Sequence, residues 1–245
     1  MRRSVDTGRR FCYNTAMSYI VLDMEWNQYH SAGKCPKNAR GMLLRDEIIQ
    51  IGAVKLGDDM SVSEQFNTLI KIGKKRVLNE HVARVVSIDR SELDKSGVSF
   101  EEAIVRFRAF AGPDPVLLIW GYDDIPVLRQ NLEFYGMPYE WTDNWYNLQL
   151  IYAAEVLGSK RQVSLQGALE SFGIEPDEPL HNAFHDAKYT ALICAKLDMD
   201  KGMSLYVRPV PKEKKQGRVV CAGRGGVRRQ TKAQAEAVSE KEGRE

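Results

Sequence analysis

Residues 19–28 read YIVLDMEWNQ, an apolar run that ends by placing two carboxylates two positions apart. In a β-strand, residues two apart point to the same face, about 6.6 Å from each other along the backbone. Asp23 and Glu25 therefore share a face with Tyr19 and Val21, while Ile20, Leu22 and Met24 point to the other. Like charges this close raise each other's pKa and destabilise the fold unless a cation sits between them. Hard oxygen ligands suit Mg²⁺ or Mn²⁺, and a paired site needs about 3.5–4 Å between metals. A strand-end pair of acids can also simply face solvent, so the reading depends on what the rest of the chain brings to it.

Outward from this strand the pattern is mixed. EIIQIGAVKL (47–56) reads as a second strand, and the turn Gly57-Asp58-Asp59 leads to a third, EQFNTLIKI (64–72). Short turns between neighbouring strands predict an antiparallel meander. Ser99 before FEEAIVRFRAFAG, with Glu102 three residues on, has the pattern of a capping box, and Phe100, Ala103, Ile104, Phe107 and Phe110 form the apolar stripe of the helix. PVLLIWGY (115–122) is apolar without alternation, as a central parallel strand buried on both faces should be. Helices follow around IPVLRQNLEFYG, LQLIYAAEVLG, SLQGALESFGI and HDAKYTALICAKL, three of them closed by Gly136, Gly158 and Gly173. Antiparallel strands followed by strand–helix alternation predict an α/β fold with a mixed sheet.

The chain of 245 residues is long enough for one domain with a substantial core. Its 43% hydrophobic and 28% charged residues are ordinary for a globular protein, and no apolar run approaches the roughly 18 residues that span a bilayer. Four scattered cysteines (Cys12, Cys35, Cys194, Cys221) give neither a disulfide scaffold nor a CxxC pair, which points to a reducing, cytoplasmic setting. The net charge of +2 conceals a segregation: residues 1–16 carry +3, residues 208–245 carry +6, and the body between carries −7. The first sixteen residues, polar and unpatterned before Met17, read as a disordered extension or as residues upstream of the natural start. The last thirty-eight, which include KEKK and GRGGVRR, read as a basic disordered tail that can follow phosphates electrostatically or simply stay solvated. The expected organisation is thus an extension (1–16), a catalytic domain (17–207) and a tail (208–245).

Two further acidic clusters bear on Asp23 and Glu25. In WGYDDIPVL the pair Asp123-Asp124 stands at the end of a buried strand, where side chains of α/β sheets converge on ligands. An aspartate there can equally cap the next helix. In HNAFHDAKYTALI, His181 falls on a loop before a helix and Asp186 in its first turn, with Thr190, Ile193 and Leu197 continuing the face of Asp186. A histidine can take a proton from a water that a metal has acidified. His185 reads as a surface or capping residue.

Taken in order, DxE on the first strand, Asp after the buried strand and HxxxxD at the last helix resemble the three exonuclease motifs of the DEDD superfamily. With the flanking segments EIIQIGAVKL, WGYDDIPVL and YNLQLIYA, the stretch from Met17 to Met199 is similar to the KapD-like branch of DnaQ-type exonucleases. That branch resembles the eukaryotic enzymes that trim histone-mRNA and small-RNA 3′ ends.

The resemblance implies an RNase H-like fold, a five-stranded mixed sheet flanked by helices. It implies four metal-binding carboxylates at Asp23, Glu25, Asp124 and Asp186, with His181 as general base in the DEDDh manner. Asp124 is preferred to Asp123 because the matching aspartate lies four residues before an apolar position, here Leu128. The implied reaction is two-metal hydrolysis of the 3′-terminal phosphodiester to nucleoside 5′-monophosphates with two divalent cations, Mg²⁺ or Mn²⁺. One would be held by Asp23 and Asp186, and the other would offset charge on the departing 3′-oxygen. Met24, Trp26, Asn27 and Gln28 follow the motif where relatives contact the terminal nucleotide, although strand alternation turns Trp26 away from the acidic face. The partner expected is the 3′ end of single-stranded nucleic acid, RNA favoured, with no membrane role. A DNA exonuclease for proofreading or repair is the nearest alternative. A regulatory binding protein of a sporulation-kinase pathway is the other, since KapD relatives are named for that.

Overall fold

Strand β1 (Ser18–Gln28) is the axis about which the chain is arranged. The computed structural model describes residues 18–29 and 35–206, so the expected N-terminal extension and the basic tail lie outside the described residues. On one side β1 pairs antiparallel with β2 (Asp46–Leu56), which pairs antiparallel with β3 (Val62–Leu69). On the other it pairs parallel with β4 (Pro115–Ile119), which pairs parallel with β5 (Trp145–Asn147). The order is β3-β2-β1-β4-β5, the five-stranded mixed sheet of the RNase H-like fold.

The alternation in YIVLDMEW sorts the two cores. Ile20, Leu22 and Met24 pack with Phe100, Ile104 and Phe107 of α3 (Phe100–Ala111) and with Leu128 and Leu132 of α4 (Asp124–Tyr135). Tyr19 and Val21 face the opposite layer, with Leu148 and Ile151 of α5 (Leu148–Glu155), Leu169 of α6 (Leu165–Ser171) and Ala187 and Ala191 of α7 (Ala183–Cys194). All five residues of β4 are buried, in keeping with its place between two parallel neighbours. Ser99 caps α3 by accepting the Glu102 N–H at 3.1 Å, and Gly136 closes α4 at φ 69°.

Several boundaries depart from expectation. Between β1 and β2, the described part of the link carries an isolated bridge between Lys37 and Leu43. β3 ends at Leu69 rather than Ile72; Ile70 still donates its N–H to the Ile49 carbonyl at 2.8 Å and forms an isolated parallel bridge with Val98. Two short helices, α1 (Glu80–Val86) and α2 (Arg90–Ser96), occupy a stretch in which no element was expected. β5 has three residues, too few for alternation to show, and α8 (Met199–Leu205) closes the described chain.

Candidate active site

The site opens where β1 outruns its parallel neighbour. Pairing with β4 stops at Val21 and Leu118, β4 ends at Ile119, and the chain turns away at Trp120-Gly121 while β1 continues to Gln28. Past that point the edge of β1 has backbone groups without a ladder partner. The Met24 N–H is taken by the Asp124 carboxylate, Oδ1 accepting at 3.1 Å. Asp124 opens α4 and is 6% exposed, whereas Asp123 occupies the N-cap position in the open and makes no capping bond. Of the Asp-Asp pair, Asp124 is thus the residue aimed at β1.

Helix α7 delivers Asp186 and His181 from the other side. Asn182 caps it, Oδ1 accepting from the N–H groups of Phe184 and His185 at 3.1 and 3.4 Å. His181, just before the cap, adopts a left-handed φ of 64°, uncommon without a glycine, and its N–H donates to Asp186 Oδ2 at 3.1 Å. The loop is thereby folded back onto the helix, and the histidine is held beside the carboxylate.

Two residues of β2 that the sequence patterns did not single out set where α7 lies. Gln50, opposite Glu25 in the ladder, accepts the Ala183 N–H at 3.2 Å and donates to Asn182 Oδ1 at 3.2 Å. Gly52, opposite Asp23, carries the close approach: a Cβ there would lie 2.2 Å from the carbonyl of Ala183. Only glycine lets the first turn of α7 rest on the sheet at this point. His185 turns away from the acids, Nδ1 against the Pro179 carbonyl at 3.0 Å and Nε2 3.3 Å from Glu178.

Carboxylate oxygens of Asp23, Glu25 and Asp186 come within 4.8 Å of one another. Asp124 stands outside this tight trio, bonded to β1. All four acids and His181 line one cleft of about 470 Å³, whose walls also include Trp120, Tyr122, Gln149 and Gln162. Gln149 donates to the Val163 carbonyl at 2.7 Å and so ties the loop carrying Gln162 to α5.

The acids repel one another in a poorly hydrated place, and their protonation shows it. Burial first, then the charges of Asp186 and Asp124, push Glu25 up to about 8. Asp23 is raised well above the usual carboxylate range by burial and by Asp124, Asp186 and Glu25. Burial lifts Asp124 to about 7 against the lowering effect of backbone N–H donors, including that of Met24. Asp186 is raised by burial, opposed by the His181 N–H.

The residues expected to touch substrate divide. Met24 and Trp26 line the cleft, and Trp26 also packs on the core of α3 and α4, as alternation required. Asn27 is not part of the cleft wall: it is fully buried, donating to the Val77 carbonyl at 3.0 Å and accepting the Asn79 N–H at 2.7 Å. Its amide holds the chain ahead of α1 against β1. Gln28 is exposed at the strand end.

This geometry can be compared with known proteins. Residues 20–194, which include every acid of the cleft and His181, match the family model described as Exonuclease (RNase_T). The chain belongs to the exonuclease family. It is 27% identical over 192 residues to the probable 3′-5′ exonuclease KapD of Bacillus subtilis (strain 168), an alignment that covers 76% of this chain and 87% of that protein. Among solved structures it is similar to a 3′-exonuclease described in 3′-end-specific recognition of a histone mRNA stem-loop, with a TM-score of 0.63 and 17% identity over 76% of this chain and 83% of that one. It is likewise similar to the nuclease domain of 3′hExo, a DEDDh family member bound to rAMP, with a TM-score of 0.62 and 17% identity, covering 76% and 94% of the two chains. The chain is thus an exonuclease-family protein that is similar to KapD along most of its length.

The residues present in the cleft fit divalent metal ions. Three carboxylates lie within one cation's reach, and all have pKa values raised by burial, with repulsion from neighbouring acids adding to it for Asp23 and Glu25. Asp186 Oδ1 is moreover buried without a hydrogen-bond partner among the described residues. A buried carboxylate oxygen without a partner is costly unless a cation completes it. No helix among the described residues is long and apolar enough to cross a membrane.

Proposed function

We propose that this exonuclease removes nucleotides from the 3′ end of single-stranded nucleic acid, RNA in preference to DNA, using two divalent cations (Mg²⁺ or Mn²⁺) and releasing nucleoside 5′-monophosphates. The observation that carries this reading is the convergence of Asp23, Glu25 and Asp186 within 4.8 Å, with His181 fixed beside Asp186 at the open side of the cleft.

Asp23, Glu25 and Asp186 hold the cations, and Asp124 completes the acidic wall while fixing the edge of β1 through Met24. When bound, the cations supply Lewis acidity to the attacking water and offset charge on the phosphate and the departing oxygen. His181, exposed at the rim, accepts a proton from the water as its oxygen bonds to phosphorus. The bond from phosphorus to the 3′-oxygen of the penultimate nucleotide breaks, and that oxygen leaves with a proton as a new 3′-hydroxyl. Trp26, half-buried, offers its remaining face to the terminal base, a contact worth roughly 1–3 kcal/mol for stacking.

Support for RNA comes from the histone-mRNA exonuclease among the similar structures and from the branch resemblance. A purely regulatory binding protein would have no chemical need for acids that repel one another in a cleft. The scattered cysteines support a reducing, cytoplasmic setting.

The test is product analysis. Matched RNA and DNA 12-mers are incubated with Mg²⁺ or Mn²⁺ and the released nucleotides separated by chromatography. The expected result is 5′-monophosphates, faster from RNA, and none in EDTA. Release of 3′-monophosphates or oligomers, or release undiminished by EDTA, would contradict the mechanism; faster release from DNA would reverse the sugar preference alone.

A further inference from the structure

The cleft wall carries five carboxylates, those of Asp23, Glu25, Asp123, Asp124 and Asp186, and no lysine or arginine. Divalent cations can satisfy the terminal phosphate there, but the phosphates farther along a strand must find positive charge elsewhere. Among the described residues the densest run of such charge lies in one segment. Residues 71–76 read KIGKKR, four cations in six residues with no acid, in a body whose net charge is −7.

The segment is rigidly mounted. At one end the Lys71 N–H donates to the Val98 carbonyl at 2.8 Å. At the other, the Arg76 guanidinium is held by buried Glu47 and by the Tyr135 hydroxyl at 3.3 Å, and the Arg76 carbonyl accepts from Arg90 at 2.8 Å. Between them the Arg76 N–H closes a turn onto the Gly73 carbonyl at 2.9 Å. Lys71, Lys74 and Lys75 point outward from this frame, exposed, and none forms an ion pair with a described residue. Charges on a rigid backbone lose little chain entropy when they bind.

Lys71 and Lys74 line a groove of about 630 Å³ together with Arg76, Arg90 and the ring of Tyr135. That ring is stacked on Phe100, centroids 4.7 Å apart and planes at 21°. Of the two acids in the groove, Asp94 is paired with Arg90 at 2.9 Å, leaving Glu101 against the lysines. Cations beside a part-exposed aromatic ring are what a single strand uses, phosphates on the former and a base on the latter.

The groove is connected to the cleft by two elements. Asn27, two residues beyond Glu25 on β1, fastens the chain that leaves Arg76 through Val77 and Asn79. Helix α4 begins at Asp124 in the cleft and ends at Tyr135 in the groove, about 16 Å away at 1.5 Å per residue. At 3.4 Å per nucleotide of a stacked strand, that span is about five nucleotides.

We propose that the groove lined by Lys71, Lys74 and Tyr135, with Lys75 beside it, is a second binding site, for the sugar–phosphate backbone of the substrate about five nucleotides from its 3′ end. The site rests on the exonuclease reading for its purpose, but its binding can be measured without hydrolysis.

The experiment uses the full chain and the triple variant Lys71→Ala/Lys74→Ala/Lys75→Ala, none of which touches the cleft. Binding of a 5′-fluorescein RNA 12-mer is followed by anisotropy in EDTA over a salt series, and kcat/KM in Mg²⁺ is compared for a dinucleotide and the 12-mer. The expected result is a Kd weakened about tenfold or more at low salt, with the slope of log K against log salt reduced by about 2 for three lost phosphate contacts. Cleavage of the 12-mer falls while that of the dinucleotide is unchanged. Unchanged 12-mer affinity and salt slope would overturn the proposal, as would equal losses on the two lengths. So would displacement of the 12-mer by polyglutamate as readily as by poly(A), since the groove would then suit acidic protein. If the wild type cleaves neither length but its 12-mer affinity depends on the lysines, the groove stands and the exonuclease reading fails.

Discussion

Asp23 and Glu25 cannot both be ionised in the metal-free cleft without cost, and the sign of that cost is testable. With Glu25 near 8 and Asp124 near 7, the folded chain keeps protons that the unfolded chain releases above about pH 4. The unfolded state therefore binds fewer protons between those limits, and stability contributed by these groups falls as pH rises from about 4 to about 8. Asp23→Asn removes one of the charges. In EDTA it should raise the melting temperature at pH 8 by about 2–4 °C for each kcal/mol relieved, with little difference from wild type at pH 5. Mg²⁺ should stabilise the wild type more at pH 8 than at pH 5 and the variant hardly at all. Calorimetry showing the same gap at both pH values would contradict this origin of the raised pKa values. At this scale the sequence was informative about acids, because a DxE on a strand and an HxxxxD at a helix start have fixed geometry. It placed Asn27 against the terminal nucleotide, whereas the Asn27 amide is consumed by Val77 and Asn79.

The elements that hold the site are less visible in the sequence than the residues they hold. Nothing in QIGAVKL says that Gln50 and Gly52 meet the first turn of α7, since that contact exists only once the β1–β2 register and the crossing of α7 are both set. Gly52→Ala tests it. A methyl group 2.2 Å from a backbone carbonyl forces α7 off the sheet, at a cost of about 1–3 kcal/mol or more. Because α7 carries Asp186, the variant should lose nuclease activity well beyond its loss of stability, and its Mg²⁺-induced rise in melting temperature should shrink. Wild-type activity in that variant would show that α7 does not need this seat. The long strands and α3 were legible because periodicity had room to show. Helices α1 and α2, seven residues each, and three-residue β5 had too few turns or alternations for a pattern; the caps at Asn79 and at Asp89, with Glu92 three residues on, were the signals for the two helices.

At the scale of the molecule, the sheet order follows from one strand that serves two cores and outruns its parallel neighbour. That overhang makes the cleft, and α4 and α7 bring acids to it from opposite sides of the sheet. The fold class could be read from strands followed by strand–helix alternation, and the identity of the site from the order of its motifs. The separation of work between an acidic cleft and a basic groove could not, since KIGKKR looks in sequence like any solvated turn until Tyr135 and Arg90 are placed beside it. The most direct test of the hydrolytic centre is a time course on a 5′-end-labelled single-stranded RNA in Mg²⁺, run with wild type and Asp23→Asn. The wild type should shorten the labelled strand one nucleotide at a time from its 3′ end, and the variant should leave it intact. Immediate release of label as mononucleotide, or an equal ladder from both proteins, would contradict it.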